Sequence, residues 1–241
     1  VAIWRVLEEQ GKLSFDSDDV LFAAGHSLGE YSALTATGAL ALSDTARLLQ
    51  IRGSSMQQAV PVGVGAMAAI LGLDFDDVEA IAKEASGDEV CTAANDNANG
   101  QVVVSGHKGA VEAAIALASE RGARKSVLLP VSAPFHCPLM QPAADRMAEA
   151  LAKVEIQVPA VPVVANVKAS SVTDPDEIRQ LLVDQVTGSV RWRESVLYMK
   201  EQGVEQIIEV GAGKVLAGLT RRIDRDLQAK AIQTVDDIAE A

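Results

Sequence analysis

Aromatic residues are scarce in this sequence, and basic residues are outnumbered by acidic ones. Phe, Trp and Tyr make up 3% of the 241 residues, and the formal net charge is −12. Proteins that bind nucleic acid use cationic side chains to neutralise phosphates and, for single strands, aromatic side chains to stack on bases. The composition therefore predicts a protein without a nucleic-acid partner.

Cysteine and long apolar runs are also lacking. The two cysteines, Cys91 and Cys137, do not have the C-x-x-C spacing of metal sites, so we predict buried or incidental thiols in a reducing compartment and no bound metal. No apolar run approaches the ~20 residues that span a bilayer, and the opening VAIWRVLEEQG is typical of a helix rather than of a signal or transit peptide. We expect a cytoplasmic protein with no membrane partner.

Short apolar runs alternate with helix-like segments along most of the chain. A strand-like run at 20–24 leads into a helix-like segment, and Ser43 is placed to cap a helix that continues to Met56. The alternation continues through the buried-strand patterns PVVANV and QIIEVG. It predicts an α/β fold with a mostly parallel sheet covered by helices, a hydrolase-like core.

Residues 63–132 have an element order of their own. The patterns read strand, helix, strand, strand, helix, strand, which is the ferredoxin-like order. We therefore predict a ferredoxin-like α+β subdomain at 63–132, inserted into a larger α/β domain made of residues 1–62 and 133–241.

The strongest local motif is G-x-S-x-G at residues 25–29, between the predicted strand and helix. A sharp turn there would lift the Ser27 hydroxyl clear of the sheet, and the N–H of Leu28 would face an oxyanion at the helix start. The alternative is an ordinary glycine-rich turn. We favour a nucleophilic Ser27.

A nucleophilic serine needs a base, and the sequence has only three histidines. His26 adjoins the serine at a turn where neighbouring side chains diverge, so we expect it to pack locally. His107 ends a strand of the inserted unit and has the features of a turn histidine. His136 lies in the proline-rich loop VSAPFHCPLMQPA that returns to the larger domain, where catalytic groups are common. We predict His136 as the base.

Other polar residues leave alternatives open. Arg52 either lies on a solvated helix face or grips a carboxylate with its planar fork. Carboxylates that could orient the histidine follow it in the chain, but none stands in a motif: Asp145, Asp174, Asp176 and Glu209. The GAGK segment ending at Lys214 lacks the spacing of a phosphate loop, because Val215 follows the lysine.

Four segments together resemble the malonyl-CoA:acyl carrier protein transacylase family of type II fatty acid synthesis. They are GHSLGEYSAL, IRGSSMQQAVPVGVGAMAAILGL, VSAPFHCPLMQPAAD and EVGAGKVLAGLTRRI, in the family's order. The resemblance covers essentially the whole chain. It implies an S-malonyltransferase whose substrates are malonyl-CoA and acyl carrier protein, with coenzyme A as part of the substrate and no cofactor.

The resemblance also implies roles for individual residues. Ser27 would carry the malonyl ester, His136 would act as base and then acid, and Arg52 would bind the malonyl carboxylate. The N–H of Leu28 would be an oxyanion donor, and the main-chain carbonyl of Gln185 would orient the histidine. Residues expected to wall the acyl pocket are Met56, Val131 and Phe135, the last of which fits malonyl-accepting members.

One departure from the family concerns the segment before Ser27. Family members have a Gly-Gln-Gly-Ser-Gln loop that supplies a second oxyanion donor, and nothing here resembles it. We expect this loop to lie upstream in a longer protein.

The resemblance leaves rival functions open. A serine hydrolase or thioesterase of acyl-CoA, a non-catalytic carrier-binding domain and an acyltransferase domain of a larger synthase are the alternatives. Because carrier proteins are usually acidic, we expect docking through local basic residues, with Arg191, Arg193, Lys214, Arg221 and Arg222 as candidates.

Overall fold

The computed structural model describes residues 1–240 as a mixed α/β structure. Its helices are α1 (Ala2–Glu9), α2 (Leu28–Ala36), α3 (Leu42–Gln58), α4 (Phe75–Ser86), α5 (Lys108–Glu120), α6 (Gln141–Leu151), α7 (Pro175–Thr187), α8 (Trp192–Glu201), α9 (Val215–Ile223) and α10 (Val235–Ala239). Its strands are β1 (Ala23–Ala24), β2 (Gly65–Leu71), β3 (Cys91–Ala98), β4 (Gln101–His107), β5 (Lys125–Leu128), β6 (Val163–Ala165), β7 (Ser170–Val172), β8 (Gln206–Val210) and β9 (Gln228–Ile232). None of the helices within this range has the length and hydropathy needed to cross a bilayer.

Parallel pairing occurs in two small sheets rather than in the one mostly parallel sheet that the sequence predicts. Strand β1 pairs with β6 in parallel, whereas β7 pairs with β6 antiparallel. Strands β8 and β9 form a separate parallel pair. The antiparallel pair has a local cause: β6 ends at Ala165 and β7 begins at Ser170. So short a connection can join only antiparallel neighbours.

Residues 65–128 form a four-stranded antiparallel sheet with the strand order β3-β4-β2-β5. Along the chain its elements follow as β2, α4, β3, β4, α5 and β5. Helices α4 and α5 pack on this sheet around Ile70, Ile81 and Val104. Small buried residues of α5, such as Ala114, let the helix approach closely.

The larger hydrophobic cluster lies elsewhere and supports the elements that carry the predicted site. It joins α2, α3, α6 and α7 through buried residues that include Leu34, Leu48, Met147 and Leu182. These helices therefore have fixed positions relative to the serine-bearing turn between β1 and α2.

Two local predictions differ from the structure. The strand expected over 20–24 is limited to Ala23–Ala24, because only these two residues find partners on β6. Helix α3 begins at Leu42 with Ala41 at the N-cap, and no side chain caps it, so the predicted Ser43 cap is wrong. Ser43 instead lies inside the first turn.

Candidate active site

The serine lies at a strained turn between β1 and α2. The backbone of Ser27 has φ +51° and ψ −107°, a conformation that non-glycine residues rarely adopt. The side chain of Asn166 holds the turn from both ends: its Oδ1 accepts the Ser27 N–H at 2.7 Å, and its Nδ2 donates to the Gly25 carbonyl at 2.8 Å. The strain is therefore stabilised by a residue from the loop after β6.

The turn has room for no side chain at its first glycine. A Cβ built on Gly25 would lie 2.0 Å from both the carbonyl carbon and the oxygen of Gly29. Backbone atoms at that distance cannot give way, so the helix packs against the strand only when residue 25 is glycine.

The histidine of the returning loop reaches the serine. His136 Nε2 lies 2.8 Å from Ser27 Oγ, and His136 Nδ1 lies 2.8 Å from the main-chain oxygen of Gln185 on α7. A carbonyl oxygen only accepts, so Nδ1 carries the proton and Nε2 faces the serine as an acceptor. Burial, followed by the positive charge of Arg52, lowers the pKa of His136 to about 3, so the ring is neutral at pH 7.

The predicted arginine is buried beside the same hydroxyl. Arg52 is 7% exposed, and its Nη2 donates to Ser27 Oγ at 2.9 Å and to Gln185 Oε1 at 3.0 Å. Within residues 1–240 its Nε has no hydrogen-bond partner. The guanidinium thus contacts neutral oxygens, and burial lowers the pKa of Arg52. The interpretation as a solvated arginine is wrong, because α3 turns this side chain inward.

Gln185 connects the serine and the arginine through its side chain. Its Nε2 donates to the Ser27 carbonyl at 3.1 Å and to Glu30 Oε2 at 2.9 Å. Glu30 Oε2 also accepts the Asn166 N–H at 2.9 Å. The amide and the carboxyl are both buried. They form a polar layer beneath the serine turn.

The remaining predicted residues differ in exposure. Leu28 is the first residue of α2, so its N–H has no acceptor within the helix, while its side chain is exposed. Met56 is buried in the cluster against which Phe135 packs. Val131 is exposed.

Known proteins are similar to this chain over nearly its whole length. The family model described as "Acyl transferase domain" matches residues 7–236. The malonyl CoA-acyl carrier protein transacylase of Escherichia coli (strain K12) is 48% identical over 241 residues, which are 100% of this chain and 76% of the relative. That of Bacillus subtilis (strain 168) is 42% identical over 218 residues, covering 90% of this chain and 69% of the relative.

The chain belongs to the malonyl CoA-acyl carrier protein transacylase family.

Solved structures of transacylases have the same fold. An acyl-carrier-protein-S-malonyltransferase from Bartonella henselae superimposes with a TM-score of 0.95 at 51% identity, covering 99% of this chain and 76% of that one. A malonyl-transacylase in complex with its type II PKS acyl-carrier protein also has a TM-score of 0.95, at 42% identity, and covers 100% of this chain and 76% of its own.

The other two histidines of this transacylase-family chain lie away from the serine hydroxyl. His26 Nε2 is 2.8 Å from Asn97 Oδ1, and the His26 ring lies 5.8 Å from the Trp192 ring. His107 is the N-cap of α5, and its Nδ1 accepts the Val90 N–H at 2.9 Å. His26 therefore packs locally, and His107 lies at the junction of β4 and α5, which agrees with its prediction as a turn histidine.

The two cysteines are buried and unpaired, as the sequence predicts. Burial raises the pKa of the Cys91 thiol to about 12. Across the described part of the chain, residues 1–240, no cluster of His, Cys, Asp and Glu could hold a metal ion.

Sequence reasoning missed Glu30, Asn166 and the side chain of Gln185 as parts of the site. Glu30 sits in the first turn of α2, where an acidic residue is common for its favourable interaction with the helix dipole. Nothing in the local pattern shows that this carboxyl turns inward. Asn166 lies within the predicted strand PVVANV, and the one polar residue in an otherwise apolar strand pattern was the available signal.

Proposed function

We propose that this chain transfers a malonyl group from malonyl-CoA to the phosphopantetheine thiol of acyl carrier protein, in fatty acid synthesis, through an ester on Ser27. The observation that carries the proposal is the meeting of three groups: Ser27 Oγ lies 2.8 Å from His136 Nε2 and 2.9 Å from Arg52 Nη2. Ser27 and His136 together support nucleophilic attack. Arg52 supports the binding of an acyl group that ends in a carboxylate.

In the first half-reaction His136 Nε2 takes the proton of the Ser27 hydroxyl while Oγ attacks the thioester carbon. The N–H of Leu28, at the positive end of α2, stabilises the developing oxyanion. The carbon–sulfur bond then breaks, and His136 returns the proton to the departing thiolate of coenzyme A. The second oxyanion donor that the family resemblance implies is not assigned to a residue of this sequence.

In the second half-reaction the carrier thiol gives its proton to His136 as its sulfur attacks the ester carbonyl. The ester carbon–oxygen bond breaks, and Ser27 Oγ regains the proton. The main-chain oxygen of Gln185 keeps the histidine in the required tautomer in both halves, since Nδ1–H donates to it at 2.8 Å. The enzyme ends the cycle unchanged and needs no cofactor.

Arg52 selects for a dicarboxylic acyl group. A guanidinium has five N–H donors, and the contacts of Arg52 Nη2 are to neutral oxygens. A malonyl carboxylate would supply the missing negative charge in a buried site, whereas an acetyl group would leave the cation uncompensated. Met56 and Phe135 would form the apolar wall of the acyl pocket, and Val131 its exposed rim.

The finer architecture fits this assignment. The strand order β3-β4-β2-β5 and its two covering helices support a ferredoxin-like subdomain within 63–132, inserted into a catalytic domain of 1–62 and 133–241. The site groups at Ser27, Arg52, His136 and Gln185 all belong to the catalytic part. A cytoplasmic location stays a prediction.

Mass spectrometry of the intact protein tests the proposed function. Incubation with malonyl-CoA should add one malonyl group, located at Ser27 after proteolysis, and Ser27→Ala should take none. Adding the phosphopantetheine form of a carrier protein should move the group to the carrier thiol. Rapid release of free malonate instead would identify a hydrolase, and no adduct at all would favour a non-catalytic carrier-binding domain.

A further inference from the structure

Glu30 is a buried carboxyl that the transfer steps do not use. It lies one turn after Ser27 on α2 and is 3% exposed. Burying a carboxyl is unfavourable unless hydrogen bonds compensate. Both compensating bonds go to Oε2: the Asn166 N–H at 2.9 Å and the Gln185 Nε2 at 2.9 Å.

The carboxyl and the Ser27 carbonyl both accept from Gln185 Nε2, and of the two the carboxyl is the shorter contact, at 2.9 Å against 3.1 Å. An amide has a donor end and an acceptor end, and Glu30 Oε2 accepts from the donor end. The acceptor end, Oε1, is thereby turned toward Arg52 Nη2 at 3.0 Å. If the amide flipped, its NH₂ group would face the guanidinium, and donor would meet donor.

The position of the guanidinium therefore depends on a chain of two hydrogen bonds. Glu30 fixes the amide of Gln185, and the amide oxygen fixes Arg52, whose Nη2 then lies 2.9 Å from Ser27 Oγ.

We infer that Glu30 is a positioning residue for acyl specificity: it orients the Gln185 amide and thereby holds Arg52 beside Ser27. The inference rests on the proposed function, since it concerns the choice of malonyl over acetyl. It does not make Glu30 a catalytic residue, because the carboxyl contacts neither Ser27 Oγ nor the His136 ring.

The protonation state of Glu30 does not alter this geometry. Burial raises the pKa of Glu30 to about 7, against its hydrogen bonds from Asn166 and Gln185 and the charge of Arg52. A neutral carboxyl with its proton on Oε1 still accepts both hydrogen bonds at Oε2. The orienting contact thus persists on either side of neutral pH.

The test compares acylation of Ser27 by malonyl-CoA and by acetyl-CoA in Glu30→Met and Glu30→Gln. Methionine fills the same space but accepts no hydrogen bond, so the malonyl-to-acetyl ratio of kcat/KM should fall about tenfold or more. Glutamine can still accept through its amide oxygen, so it should recover most of the ratio. The loss should appear mainly in KM for malonyl-CoA.

A double mutant separates positioning from a general structural defect. In the background of Arg52→Ala, Glu30→Met should change the ratio no further, because the group through which it acts is gone. Thr35→Val serves as the matched control on the same helix. Thr35 is buried and bonded to the Tyr31 carbonyl and to Thr45, outside the site, so its loss should lower stability and leave the ratio unchanged.

The possible results are distinct. A wild-type chain that takes no malonyl group would contradict the proposed function itself. A wild-type chain that does, with an unchanged ratio in Glu30→Met, would show that the inference about Glu30 is wrong. If Glu30→Met does not fold, Glu30→Asp decides: its shorter side chain withdraws the carboxyl from Gln185 Nε2 but keeps the Ser27 carbonyl contact, and the same loss of ratio is expected.

Discussion

At the scale of single residues, the site depends on backbone conformations that side chains ordinarily avoid. Ser27 has φ +51° and His136 has φ +58°, so both reacting groups sit in strained backbone. Such conformations cost of order 1–3 kcal/mol each and persist where surrounding contacts compensate. At Ser27 these contacts come from Asn166 and Gln185, through bonds to its N–H and its carbonyl.

The two motif glycines should respond differently to alanine. Gly25→Ala places a methyl group 2.0 Å from backbone atoms of Gly29, so we expect it to lower the free energy of unfolding by at least ~1–3 kcal/mol. Gly29→Ala meets nothing within 4 Å and lies in α2, so we expect no loss and a gain of up to ~1 kcal/mol. Urea denaturation of both variants measures this, and equal losses would contradict the steric explanation.

At the scale of elements, the serine-bearing turn is held by segments distant in sequence. Strand β3 of the four-stranded sheet contacts residues outside that sheet through Asn97, which bonds His26, and through the pairing of Asn95 with Val190. Asp96 lies between them. Its carboxylate accepts Arg193 Nε at 2.9 Å and Arg193 Nη2 at 2.8 Å. The ion pair thus joins β3 to α8.

Breaking this ion pair should be costly, unlike breaking a surface pair. The Asp96 side chain is 1% exposed, so Arg193→Ala leaves a buried carboxylate without its cation, and we expect a loss of about 3 kcal/mol in stability. Arg146→Ala is the matched control, since Arg146 and Glu149 are 66% and 62% exposed, and we expect at most about 1 kcal/mol. Thermal and chemical unfolding would show whether the two losses differ; similar values would argue against a buried role for Asp96.

At the scale of the whole molecule, an acidic chain must dock a carrier protein that is usually acidic too. Of the five basic candidates, Arg191 and Arg193 are already paired with Glu194 and Asp96. The other three, Lys214, Arg221 and Arg222, are exposed on α9 or at its N-cap. Asn99 Nδ2 donates to the Arg222 carbonyl at 3.3 Å, and Asn99 is two residues beyond the partner of His26. The C-terminal end of α9 therefore contacts the turn between β3 and β4, and strand β3 also contacts His26.

Charge reversal on α9 should weaken carrier docking in a salt-dependent way. We expect Arg222→Glu to raise KM for the carrier several-fold at about 50 mM salt and much less at about 0.5 M, because salt screens exposed charges. Formation of malonyl-Ser27 at saturating malonyl-CoA should not change. Lys83→Glu, an exposed reversal on α4, is the matched control. If both reversals raised KM equally, the cause would be the overall net charge of −12 and not a docking surface on α9.

The sequence alone was sufficient to predict the reacting residues and most of the helices. Ser27 stands in a G-x-S-x-G motif between a predicted strand and helix, His136 follows from a choice among three histidines, and Arg52 follows from the family resemblance. Element types were predictable where periodicity was strong. Strands β7 and β9 were not predicted, because three to five residues with small or polar side chains carry almost no periodic signal.

Only the tertiary structure decided how these groups are held. The inward turn of Glu30, the clamp by Asn166 and the orientation of the Gln185 amide depend on hydrogen bonds between residues 136 to 158 positions apart. Local sequence patterns report which face of a helix is apolar, but they do not report which distant donor meets a buried carboxyl. The reacting groups of the site can therefore be identified from short motifs, whereas their geometry arises from packing between segments far apart in the chain.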